Sequence, residues 1–122
     1  MQKEHSAQFA EDIRALMVAA AQIDRVYWIN APEKNKVYPY IVFDFRAVAG
    51  DKVITLDLWG EKGNEVTLYD LADTVEEALD NTVIYNSYHS SILATQNNKQ
   101  WIADEDERLI HLNMSFDATY QA

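Results

Sequence analysis

The side chains with chemistry to offer are few, and their spacing decides what they could do. His5, His89 and His111 stand far apart and share no zinc-ligand spacing. His111 falls on the polar side of an alternating run, where it would neighbour Asp44 or Asp57 across a sheet. Such a pair does acid–base work in a cleft and is an ordinary solvated contact on an open face. Asp104-Glu105-Asp106-Glu107 offers four carboxylates in a row. A calcium loop would also need glycine at its sixth place and glutamate at its twelfth, and counted from Asp104 those places hold Leu109 and Ser115. A hydrated hairpin tip fits those charges better. Ser90 and Ser91 lie beside His89, but no G-x-S-x-G elbow is present to expose a nucleophile. With three glycines, Gly50, Gly60 and Gly63, there is no phosphate-cradling loop. The absence of cysteine removes disulfides, thiolate metal sites and thiol nucleophiles. The residues therefore predict no catalytic, cofactor-binding or metal site, and no enzyme.

Composition narrows the partners. Ten basic residues against twenty acidic ones leave a net charge of −10, and the basic side chains Lys34, Lys36 and Arg46 are scattered. Attraction to nucleic acid needs a basic stripe, so binding to DNA through its phosphates is not expected. Mimicking DNA, or refusing to adhere to it, remains open. Glu4, Glu11 and Asp12 interrupt any apolar N-terminal run, which argues against a signal peptide. Ala15 to Ala21 is too short to cross a membrane. The expectation is a soluble chain forming one domain over residues 1–122.

The elements that must position these residues follow from periodicity. Phe9, Ile13, Leu16, Met17 and Ala20 make a helical stripe behind Ser6, a candidate N-cap, with Glu11 and Asp12 near the helix start. Val26 to Ile29 is a short extended piece. Pro32 and Pro39 then bracket a polar loop. From Tyr40 the period becomes two: Ile41, Phe43 and Phe45 alternate with Tyr40, Val42, Asp44 and Arg46. After a turn at 49–52, Ile54, Leu56 and Leu58 alternate with Val53, Thr55, Asp57 and Trp59, a hairpin pattern. A second helix covers Glu65 to Asn81, with Leu68, Ala72, Val75 and Leu79 on one side. Tyr85 to Ser91 is ambiguous, Ile92 to Ile102 reads as a third long strand, and Leu109 to Tyr120 as the fourth. The expected class is α+β: a four-stranded, mainly antiparallel sheet with two helices packed on one face.

Tyr38, Tyr40 and Trp59, with Val42 and Val53, fall on or beside the face that the helices leave free. Exposed aromatic residues beside aliphatic ones mark protein interfaces as often as they stabilise a sheet by cross-strand pairing.

The order of segments carries a resemblance. "RVYWINAP", "YPYIVFDF", "VITLDLWG", the acidic helix "EVTLYDLADTVEEALDN" and a last "ERLIHLNMSFDATY" follow one another over Arg25 to Tyr120. This ordered set resembles the tail-completion, or tail-terminator, minor tail proteins of long-tailed bacteriophages and prophages. The resemblance implies a structural protein without catalytic residues. It implies a virion protein, assembled in the bacterial host cytoplasm, that forms a hexameric ring with copies of itself. That ring would cap the tail-tube protein and meet the head–neck connector protein, with DNA passing through unbound and no membrane contact. Such a lumen should repel phosphate, which suits a charge of −10. The residues expected at these contacts are Tyr38, Tyr40, Val42, Asp44 and Trp59, with the loop 31–38 and the tip Asp104, Glu105, Asp106 and Glu107. The alternative is a small acidic inhibitor of the immunity type, a DNA mimic or toxin neutraliser. A mimic would carry its carboxylates in two rows on one face, whereas here they gather on the second helix and one hairpin tip.

Overall fold

Strand-length alternation builds the centre of the sheet, and short segments without period extend it. A computed structural model describes residues 5–122, so Glu4 lies outside the described residues. The elements run α1 (Ser6–Ala21), β1 (Val26–Trp28), β2 (Tyr40–Val48), β3 (Asp51–Glu61), α2 (Glu65–Leu79), β4 (Val83–Tyr85), β5 (Ser90–Thr95), β6 (Gln100–Ile102) and β7 (Leu109–Ala118). In β3 every second residue from Lys52 to Gly60 is buried. β2 and β7 flank it antiparallel, setting Phe43 opposite Leu56 and Leu56 opposite Met114. One row of large apolar side chains thus crosses three strands. Phe9, Ile13 and Met17 of α1 and Leu68, Ala72, Val75 and Leu79 of α2 close over the same core.

The expected four-stranded, mainly antiparallel sheet is wrong. Seven strands form one mixed sheet in the order β1-β2-β3-β7-β5-β4, with β6 also paired to β7. Three of the seven are only three residues long, which is too short to show a period of two. β1 pairs parallel to β2, with Val26 opposite Ile41, a register that only the distant partner fixes. The run expected as one strand from Ile92 to Ile102 breaks at Gln96–Lys99, where one backbone bond remains, from the Gln96 N–H to the Ser115 carbonyl at 3.1 Å, and side chains make the other contacts. The Ser115 N–H donates to Asn98 Oδ1 at 2.9 Å, while the Thr95 hydroxyl and Lys99 Nζ both reach Glu76, at 2.8 and 2.6 Å. Ser6 is likewise not a cap: it is the first helical residue, and His5 before it makes no capping bond. Glu11 and Asp12 lie beyond the first turn of α1.

The β2–β3 hairpin closes at Val48 opposite Asp51, with Ala49 at φ 51° and Gly50 at φ 91°. Positive φ at both central residues is the geometry that suits the twist of a two-residue hairpin, and it favours Asn-Gly. A Cβ makes that conformation costly for Ala49. Ala49→Asn should therefore raise stability by about 0.5–1 kcal/mol, read as a higher urea midpoint with unchanged slope.

A candidate assembly surface on the helix-free face

Sheet register fixes which side chains meet on the face away from the helices. One row runs Tyr40, Trp59, His111 and Ile102 across β2, β3, β7 and β6. The next runs Tyr27, Val42, Asp57, Asn113 and Gln100. In the first row the rings stack, with Trp59 on His111 at a centroid distance of 3.9 Å and Tyr40 beside Trp59 at 6.3 Å. The two rows are tied where His111 Nε2 meets Asp57 Oδ1 at 2.6 Å and Asn113 Nδ2 donates to the same oxygen at 2.8 Å. Tyr38 and Tyr27 pack on Tyr40 from two sides, and Lys36 Nζ lies 5.9 Å from its ring centre. Burial, with the nearby Tyr38, Asp104 and Tyr27, pushes the Tyr40 hydroxyl up to about 12.

Most of the sequence-expected contact residues gather at one end of this face. Tyr38 shares a hollow with Glu61, Asp106, Arg108 and Leu109, which brings the end of the loop 31–38 to the acidic tip. The tip is ordered by its own bonds: the Asp106 N–H donates to Asp104 Oδ1 at 2.7 Å, and Arg108 donates twice to the Asp106 carboxylate, at 3.0 and 2.8 Å. Those Arg108 bonds hold the Asp106 carboxyl down to about 2. Glu105 and Glu107 are exposed, while Tyr38, Val42 and Trp59 are half-buried. Tyr40 is only 4% exposed, so it supports the surface from beneath its neighbours. Asp44 is exposed and stands one row further down, opposite Thr55. His111 is thus placed against Asp57, one of its two expected partners, and the pair lies on a sheet face under Trp59.

A second polar cluster spans elements that the sequence does not connect. His89 Nε2 lies 2.7 Å from Asp12 Oδ2 and its Nδ1 lies 2.9 Å from Ser91 Oγ. Asn86 Nδ2 and Gln8 Nε2 donate to the same Asp12 carboxylate, at 3.0 and 2.9 Å. Partial burial works against the ionised Asp12, yet the bonds from His89, Asn86 and Gln8 prevail and lower its pKa. Serine, histidine and aspartate within bonding reach resemble a hydrolytic constellation. Ser91, however, is 0% exposed and His89 is 2% exposed, which leaves the hydroxyl without a route to a substrate. The cluster pins α1 to the β4–β5 hairpin. Asp12 is 77 residues from His89, and no local spacing could have found it. Among the described residues, no group of three or more His, Asp or Glu could hold a metal ion, and no helix is long and apolar enough to cross a membrane.

No protein-family model matches the chain, and no curated protein matches it. Its fold is shared with solved structures. One is a chain of the virion of a native gene transfer agent particle, superposing with a TM-score of 0.67 at 16% identity over 88% of this chain and 86% of that one. Another bears only a sequence identifier for a name and superposes with a TM-score of 0.70 at 14% identity, covering 96% and 93%. At these identities the likeness is one of fold. It covers most of each chain.

Proposed function

We propose that this chain is a structural subunit of a phage-type particle, forming a ring that caps the tail tube and joins it to the head–neck connector. The observation that carries the reading is the near end-to-end likeness to a chain of a gene transfer agent virion. The ordered segments between Arg25 and Tyr120 point to the tail-terminator class within such particles. The helix-free face supplies what a subunit of this kind needs. It carries a firm platform of stacked aromatic rings, next to a bonded acidic tip that can take part in contacts without unfolding. A hexameric ring built this way would admit DNA without gripping it, because a lumen lined from the acidic surface repels phosphate. The protein would then reside in the virion after assembly in the host cytoplasm.

Electron microscopy of particles from cells carrying a deletion of this chain tests the role. Tails of unregulated length, or tails detached from heads, are the expected result, with wild-type morphology restored by the intact chain. Deletion particles with normal tails joined to filled heads would overturn it.

A further inference from the structure

The two ends of the sheet are finished differently. At the β1 end, Arg14 donates to the Val26 and Asp24 carbonyls, at 2.8 and 2.9 Å, and the Asn30 N–H closes on the Trp28 carbonyl at 2.9 Å. Those bonds occupy backbone groups that another strand would need. β4 ends the sheet on the other side. Its pairing with β5 is set by the Leu93 N–H on the Thr82 carbonyl at 2.9 Å and the Asn86 N–H on the His89 carbonyl at 3.1 Å. Bonded pairs alternate along an antiparallel ladder. Ile84 therefore faces Ser91 as a bonded pair, whereas Val83 and Tyr85 turn both their backbone groups away from β5. Among the described residues, nothing bonds to those outward groups.

Nor is this edge guarded by charge. Residues 81–98 contain no Asp, Glu, Lys or Arg, in a chain of which 25% is charged. Lysine, proline and charged side chains are the usual guards of an edge strand, and β4 reads Val-Ile-Tyr. Val83 is 62% exposed and Tyr85 84%, with Ile92 exposed beside Val83 on the same side. Ile84 turns the other way and packs on the core. The acids bonded to this hairpin are engaged within the fold: Asp12 by His89 and Asn86, and Asp80 by the Thr95 N–H at 2.9 Å.

We propose that a second copy of this chain occupies the edge, its β4 pairing antiparallel with this one about a two-fold axis at Ile84. The strand is complementary to itself in that register. Val83 lies opposite the partner's Tyr85, and these are the two positions with outward backbone groups, so every outward N–H meets an outward carbonyl. On the exposed side each valine packs beside a tyrosine, a β-branched and aromatic pair that favours adjacent strands. Charge selects the same occupant. Copies that each carry −10 repel one another, and they do so least across a stretch without charge. The antiparallel arrangement also sets the two Asp80 carboxylates at opposite ends of the joint. A partner drawn by the net charge would be basic, and it would find no carboxylate along β4. A two-fold contact stops at two copies, so this one is separate from any ring contact and does not depend on the ring reading.

Sedimentation velocity of the full chain, from micromolar concentrations to ~1 mM, tests the contact. A monomer–dimer equilibrium is expected, and a weak one, because strands of three residues bury little surface. Tyr85→Pro removes an outward N–H while leaving the β4–β5 ladder in place, and it should weaken the dimer about tenfold or more. Val83→Lys puts a charge on the edge and should act in the same direction, so the test survives poor folding of either variant. Introduced thiols read the register, since the chain has no cysteine. On oxidation, Ile84→Cys should give a disulfide-linked dimer. A mixture of Val83→Cys and Tyr85→Cys should give the mixed dimer in excess of either self-dimer. A monomer at every concentration would overturn the proposal and leave the edge to a strand of another protein. So would a dimer that Tyr85→Pro and Val83→Lys both leave intact, or self-dimers of Val83→Cys outweighing the mixed species. The deletion particles test the tail role separately, and neither result decides the other.

Discussion

His89→Ala should be among the most damaging single substitutions in this fold, costing about 3–5 kcal/mol. Three losses coincide at that position. The Asp12 carboxylate keeps Asn86 and Gln8 but loses its 2.7 Å partner, the Ser91 hydroxyl is left buried without its ring acceptor, and a void opens beside Phe9 and Tyr120. In the neutral ring Nε2–H donates to Asp12 and Nδ1 accepts from Ser91, so one side chain satisfies both polar groups. Against a total of about 5–15 kcal/mol for a domain, the loss should lower Tm by more than ~10 °C in a thermal melt. A phenylalanine there would refill the void yet still strand both polar groups, so His89→Phe should recover only part of the loss. A drop under about 1 kcal/mol would show that the cluster does not hold α1 to the hairpin.

The same cluster sets part of the acid sensitivity. The native pKa of Asp12 is lowered, so the stability it contributes is complete above the unfolded value near 3.8. It drains away as the pH falls through the lower native value. In Asp12→Asn that part of the acid limb is missing, and the difference in stability between the two proteins should shrink below pH ~4.

What the sequence made legible, and what it left hidden, divides by the range of the interaction. The long strands β2, β3 and β7 and both helices announce themselves because burial on one side imposes a period, and a period needs several residues to be seen. β1, β4 and β6 offer three residues each, and their place in the sheet is set by partners elsewhere in the chain. Gln96–Lys99 looks like a dull polar stretch in an otherwise strand-like run. It is in fact where the Asn98 side chain takes the Ser115 N–H in place of a strand carbonyl and Lys99 turns to Glu76 of α2. The outer face was legible from alternation, since Tyr40, Trp59 and His111 share a parity that register then lines up. The burial of Tyr40 was not, because it depends on Tyr38 and Tyr27 folding over it from neighbouring segments. Ser91 beside His89 was visible in the sequence, but Asp12 was hidden for the same reason, since it comes to His89 from 77 residues away.

Phe9→Ala should cost a further ~3–5 kcal/mol on its own, and the more telling quantity is how it combines with His89→Ala. Phe9 is fully buried and meets three rings edge-on: Phe45 at 4.9 Å, His89 at 5.3 Å and Tyr120 at 5.4 Å. It is therefore the apolar counterpart of the polar cluster, and both act on the same junction between α1, β2 and the C-terminal end of the chain. If that junction is one packed unit, each single variant already sacrifices contacts that the other would lose. The double variant should then fall short of the summed losses by about 0.5–3 kcal/mol, read in urea at neutral pH with each single variant as reference. Strict additivity would mean that the ring contact carries no energy of its own and that α1 is held at two independent points. Trp28→Ala is the contrasting control. Trp28 stacks on Phe45 at 5.7 Å from an exposed edge, so its removal should cost well under the Phe9 figure.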